Sequence, residues 1–175
     1  MRFMNSQRNT TTEDSSQLAI VALGANLPSA AGDPEQTIRA SLEELRELGS
    51  LQVSSFLRTA PDDCPPGSPE FINAIALIAV DPELHPRQLL EQLQAIELRF
   101  GRDRSPGKEV NAPRTLDLDL ISLGSWELNE PDLVLPHPRA AQRHFVLAPL
   151  HELLPNYVLP GMTVSVHELL IQLPG

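Results

Sequence analysis

Arg114-Thr115-Leu116-Asp117-Leu118-Asp119-Leu120 decides how this chain is read, because leucine and aspartate alternate along it with the period of a β-strand. Side chains alternate faces along a strand, so Asp117 and Asp119 point one way while Leu116, Leu118 and Leu120 can pack on the other. That spacing puts the two acids roughly 7 Å apart at their carbons and suits hard divalent cations. Arg99, Arg102, Arg104, Lys108 and Arg114 concentrate positive charge here, in a chain whose net charge is -10. Of the 13 basic residues only Lys108 is a lysine, and guanidinium groups grip phosphate oxygens through paired hydrogen bonds. A bound polyphosphate, held by arginines and by cations on the carboxylates, is favoured over a solvated loop leading into an edge strand.

Upstream of this strand, Leu89, Leu90, Leu93, Ile96 and Phe100 recur at helical spacing over residues 86–100, and residues 71–80 read as a buried strand. A proline-rich loop over residues 60–69 follows a strand over 53–58. Ile38, Leu42, Leu45 and Leu48 mark a helix that begins near Pro34 and ends at Gly49. The first strand, residues 18–23, runs into Gly24-Ala25-Asn26, a turn where backbone can approach a ligand closely. The order β-α-β-β-α-β is that of an α+β ferredoxin-like (split β-α-β) sandwich, an antiparallel sheet with helices packed on one face. Prolines after residue 130 imply a mostly irregular C-terminal region draped on the core, with a short helix near residues 166–170.

A length of 175 residues suits one domain, here residues 18–175, preceded by a disordered tail over residues 1–17 that is rich in Asn, Ser, Thr and Gln. With 23 Asp and Glu the chain would be repelled by nucleic acid and by anionic membranes, whereas a small anionic ligand remains compatible. Cys64 is the single cysteine, which rules out an internal disulfide and points to a reducing, cytoplasmic setting. The apolar run over residues 71–80 is far shorter than the roughly 20 residues of a membrane helix. A monomer is expected, with oligomers left open. Walker, GxGxxG and HExxH patterns are absent, and His151-Glu152 and His167-Glu168 read as surface or packing residues.

Several segments in order resemble the 6-hydroxymethyl-7,8-dihydropterin pyrophosphokinases (HPPK) of folate biosynthesis. They are Ala22-Leu23-Gly24-Ala25-Asn26-Leu27; Val53-Ser54-Ser55-Phe56 with Arg58-Thr59 and Pro61; Phe71-Ile72-Asn73-Ala74; Ile96-Glu97 with Gly101-Arg102 and Arg104; Pro113 through Asp119; and Leu135-Pro136-His137-Pro138 with Arg143 and Phe145. The resemblance implies the same sandwich and a transfer of the β,γ-diphosphate of ATP to the pterin hydroxymethyl oxygen, releasing AMP. It implies that Asp117 and Asp119 hold two Mg²⁺ ions and that Arg102 and Arg114 grip phosphates, these four being the catalytic set. Gln94, Glu97, Arg104, His137 and Arg143 match positions around ATP. Gly24, Thr59, Pro61, Phe71, Asn73 and Phe145 match the pterin pocket.

Two departures stand out. Asn111 occupies a position where the family often has a loop aromatic, and the loop over residues 62–68, with Cys64, Pro65 and Pro66, differs from the usual one. Residues 105–110 have the composition of a mobile lid. A metal-dependent phosphohydrolase using the same aspartates, or a ligand-sensing module without chemistry, are the competing readings.

Overall fold

A computed structural model describes residues 16–61, 64–107 and 112–174. The expected tail up to residue 15, Asp62, Lys108, Val110 and Asn111 lie outside the described residues. Strand β1 (Gln17–Ala25) is central and pairs antiparallel with β4 (Phe71–Val80) on one side and β5 (Asp117–Leu123) on the other. Strands β2 (Ser50–Val53) and β3 (Leu57–Thr59) follow one another along the far edge of β4. The order β2-β4-β1-β5 leaves β5 at the open edge of this sheet. Gln17, placed in the tail by sequence, opens β1, and its side-chain amide donates to the carbonyls of Asp81, Pro82 and Leu84.

Helices α1 (Pro34–Leu45) and α2 (Pro86–Arg99) begin as their sequences direct. Each has a proline in its first turn and a capping box, built on Asp33 with Gln36 and on His85 with Gln88. After α1 the chain tightens into a 3-10 turn, Arg46–Leu48, and ends at Gly49 with φ 157°, where a Cβ would lie 1.9 Å from the Ala79 carbonyl oxygen. Ile38, Leu42 and Leu45 from α1 and Leu89, Leu93 and Ile96 from α2 form one core with Val21, Leu23, Ile78, Leu118 and Leu120. Both helices therefore cover the face that the alternation in β5 assigns to leucine.

The single strand expected over residues 53–58 is two strands, and Ser54 is the reason. Its hydroxyl accepts from the Ile75 N–H at 2.9 Å, taking a position that a backbone carbonyl would otherwise hold in the ladder. The Glu152 carboxylate accepts the Ser55 N–H at 3.0 Å and fixes the break.

The C-terminal region is more regular than its prolines suggest. A hairpin of β6 (Leu128–Glu130) and β7 (Leu133–Leu135) buries Leu133 and Leu135 in the first core. Helix α3 (His144–Leu153) contains Pro149, and α4 (Val166–Gln172) packs beside it. Helix α3 persists around its proline because Val146, Leu147 and Leu150 are buried against Ile20, Ile75, Leu77 and Ile121 on the second sheet face. The sheet thus has α1 and α2 across one face and α3 and α4 over part of the other.

A bulge divides β5. Val21 pairs with Leu120 but Ile20 pairs with Ser122, so β5 carries one extra residue. Asp117, Asp119 and Ile121 keep to the second face, whereas Leu123, beyond the bulge, returns to the core under α1 and α2. Ile121 lies beneath the C-terminal helices, and the aspartates stand where that cover is thinner.

Candidate active site

Across the sheet, Gly24 is the register partner of Asn73 on one side and of Asp117 on the other, and Ala22 is the partner of Asp119. Asn73 and Asp117 are thus two strands apart with only a glycine between them, so no side chain rises from β1 at that point. A Cβ built on Gly24 would lie 3.3 Å from Asn73 Oδ1 and 4.0 Å from the Phe71 ring. The Asn73 amide nitrogen donates to Thr59 Oγ1 at 2.8 Å, which leaves its oxygen towards Gly24. Thr59 closes β3 opposite Phe71, and Pro61 is half-buried two residues further on.

Three arginines surround the acids. Arg114 Nη1 donates to Asp117 Oδ2 at 2.8 Å, Arg102 Nη2 stands 3.7 Å from Asp117 Oδ1, and Arg143 Nη1 stands 3.7 Å from Asp119 Oδ2. The Arg114 guanidinium carbon lies 5.6 Å from the centre of the Phe71 ring, and that of Arg143 lies 5.3 Å from the centre of Phe145. Burial, reinforced by the neighbouring Asp117 charge, pushes the Asp119 carboxyl up to about 7. Burial also lowers the guanidinium pKa of Arg102 and Arg143, yet an arginine remains charged at neutral pH. The Nε groups of Arg102 and Arg114 are buried without a hydrogen-bond partner among the described residues. Such donors are matched by an anion with several acceptor oxygens.

Beside the open edge of β5 lies a cavity of about 320 Å³ whose lining includes Gln94, Arg104, Asp119, Leu133, Val134 and His137. Burial, with Arg143 and Arg139 nearby, holds the His137 imidazole below its ordinary pKa and so neutral at pH 7. Glu97, expected on the nucleotide side, has both carboxylate oxygens engaged by protein groups. It is fully buried, accepts the Leu118 N–H at 2.7 Å through one oxygen and takes Arg104 Nε at 3.0 Å through the other. Its carboxylate is a strut between α2, β5 and Arg104, and desolvation raises its pKa.

The donor chemistry around Asp117 and Asp119 fits Mg²⁺. Both are hard oxygen ligands on one strand face, and the described residues contain no group of three or more acidic, His or Cys side chains able to hold a metal. Mg²⁺ is commonly bound by one or two carboxylates and completed by phosphate oxygens and water.

The structure brings the two acids, the three arginines and the residues expected at the pterin into one region, and two parts of that region were not expected from sequence. The cavity wall from Pro131 to Val134 was read as irregular, because nothing local marks a three-residue strand pair. Asn26 was read as a turn residue, yet it is 2% exposed and bonds segments 43 and 88 residues away. The histidine-glutamate pairs keep the packing role expected of them. His151 Nε2 meets His167 Nδ1 at 3.0 Å between α3 and α4, Glu152 holds Ser55, and Glu168 caps α4 with Ser165.

The family model for 7,8-dihydro-6-hydroxymethylpterin-pyrophosphokinase (HPPK) matches residues 20–155. The 2-amino-4-hydroxy-6-hydroxymethyldihydropteridine pyrophosphokinase of Synechocystis sp. is 36% identical over 157 residues, covering 88% of this chain and 75% of that protein. The protein of the same name from Pseudomonas aeruginosa is 41% identical over 147 residues, covering 82% and 85%. Among solved structures, Plasmodium falciparum HPPK-DHPS superposes with a TM-score of 0.69 at 13% identity, over 93% of this chain. The chain spans 46% of that longer protein, and the likeness speaks to the fold alone. With a family model matched over most of the chain and relatives this similar along their own lengths, the chain belongs to the 7,8-dihydro-6-hydroxymethylpterin-pyrophosphokinase family.

Proposed function

We propose that the pterin lies over the row Asn73–Gly24–Asp117, that ATP lies along the open edge of β5, and that Asp117 marks where they meet. In this arrangement the chain transfers the β,γ-diphosphate of ATP to the hydroxymethyl group of 6-hydroxymethyl-7,8-dihydropterin, a step of folate biosynthesis. The observation that carries the placement is the row Asn73–Gly24–Asp117, which joins an amide and a bare backbone position to a carboxylate ringed by arginines.

A pterin is flat, with donors and acceptors on its edge. The free oxygen of Asn73 accepts from that edge, while Phe71 and Phe145 supply apolar faces and Thr59 and Pro61 complete the wall. On the nucleotide side Gln94, Arg104 and neutral His137 line the cavity, with Arg143 beside Asp119. Asp117 and Asp119 would hold Mg²⁺, two ions in the full arrangement, which supplies positive charge to the transferring phosphates. Arg102 and Arg114 donate to the phosphate oxygens, and their Nε groups have no other partner among the described residues. The hydroxymethyl oxygen forms a bond to the β-phosphorus and gives up its proton to solvent, the bond from that phosphorus to the α-phosphate bridging oxygen breaks, and AMP departs with that oxygen. Here the arginines act where charge shifts during transfer.

Gly24→Ala is expected to raise the pterin KM about 10-fold or more, because the added methyl stands 3.3 Å from the amide oxygen that takes the ring edge. Steady-state kinetics at saturating ATP check this, and an unchanged pterin KM would move the ring away from Gly24. The deciding experiment is nucleotide product analysis with ATP and Mg²⁺, with and without 6-hydroxymethyl-7,8-dihydropterin. AMP formed only with pterin supports diphosphoryl transfer. ADP or phosphate formed in both mixtures would make the protein a phosphohydrolase.

A further inference from the structure

Asn26 is a buried polar residue for which the substrates supply no reason. It follows β1 directly and is 2% exposed. Its backbone N–H donates to the Arg114 carbonyl at 3.1 Å, and its side-chain oxygen accepts the Arg114 N–H at 2.8 Å. Leu27 N–H donates to the same carbonyl at 3.1 Å. The side-chain nitrogen turns the other way and donates to the Pro69 carbonyl at 3.1 Å. One amide therefore continues the pairing of β1 with the segment that leads into β5, and also ties that junction to the segment that leads into β4.

Those two segments carry different halves of the site. Arg114 bonds Asp117, and Phe71, two residues after Pro69, forms the wall beside Gly24. The guanidinium of Arg114 lies 5.6 Å from the Phe71 ring centre, so the two halves meet where the amide holds their backbones. We infer that Asn26 is a positioning residue that sets Arg114 and Phe71 against each other, one arm of its amide fixing the phosphate-side arginine and the other the pterin-side wall. This rests on the placement of substrates proposed above. A satisfied buried amide is costly to disturb, because its partners become buried, unpaired groups.

The two arms can be separated. Asn26→Asp keeps an acceptor for the Arg114 N–H and sets an oxygen against the Pro69 carbonyl. It is expected to keep kcat within a few-fold while raising the pterin KM about 10-fold. Asn26→Ala removes both arms and is expected to lower kcat about 10²-fold as well, the scale of a misplaced catalytic group. In a double-mutant cycle, Asn26→Ala on an Arg114→Ala background should lose little further kcat, because its effect on kcat runs through that arginine. Kinetics are read well below the melting temperature of each variant. Losses that multiply in the double mutant, or the same kcat and KM pattern in Asn26→Asp and Asn26→Ala, would overturn the inference. Were the wild type to hydrolyse ATP without pterin, the substrate placement would fall. The cycle read on hydrolysis would still test whether Asn26 acts through Arg114.

Discussion

Asp117→Ala or Asp119→Ala is expected to abolish turnover, with kcat falling by at least about 10³-fold. Each acid stands on the face away from α1 and α2, with side chains 21% and 35% exposed, so neither supports the leucine core behind it. What each variant loses is a hard ligand at the point where Arg102, Arg114 and Arg143 converge. Folding should survive, since removing one carboxylate leaves partly exposed guanidinium groups that water can still solvate. AMP production followed beside a circular-dichroism melt separates the two effects. Substantial activity in both variants, with a normal melt, would remove the carboxylate pair from the chemistry.

The second large effect is expected at Arg102. Its side chain is 17% exposed, it stands 3.7 Å from Asp117, and its Nε has no hydrogen-bond partner among the described residues. Burial already opposes its charge, and a guanidinium held under such conditions gains most from a phosphate that arrives with several acceptors. Arg102→Ala should lower kcat by about 10² to 10³-fold, the loss typical of removing one preorganised donor to a charge-shifting transition state. Arg102→Lys should recover only part of this, because an ammonium keeps the charge but not the planar fork. Full recovery in the lysine variant would mean that charge alone, without directed hydrogen bonds, is what the position contributes. A loss confined to the ATP KM would make Arg102 a ground-state binding group.

Local periodicity was enough to read β4, α2 and the acidic strand, because each segment buries a face that its own pattern defines. The alternation from Leu116 to Leu120 gave the orientation of both aspartates correctly, as their partners Gly24 and Ala22 show. Where packing between distant segments decides, the reading failed. Helix α3 looked irregular because Pro149 interrupts it, and only the sheet face beneath Leu147 and Leu150 explains why it holds. Glu97 was expected beside ATP, yet Leu118 and Arg104 claim both its oxygens, partners set by the crossing of α2 over the edge strand. Ser54 breaks a strand by offering its hydroxyl to Ile75, a substitution of partners that no propensity for residues 53–58 reveals.

The bulge near Ile121 constrains how β5 can change over generations. Before it, the acids face away from α1 and α2; after it, Leu123 faces those helices. Loss or gain of a single residue between Asp117 and Ile121 would turn the upstream half over and drive two carboxylates towards Leu93 and Ile96, while the downstream half stayed in place. Selection on this strand therefore acts on a count as well as on letters. The number of residues separating the acids from the bulge matters to the site as much as the acids themselves, whereas the leucines between them could be exchanged for apolar residues of similar size.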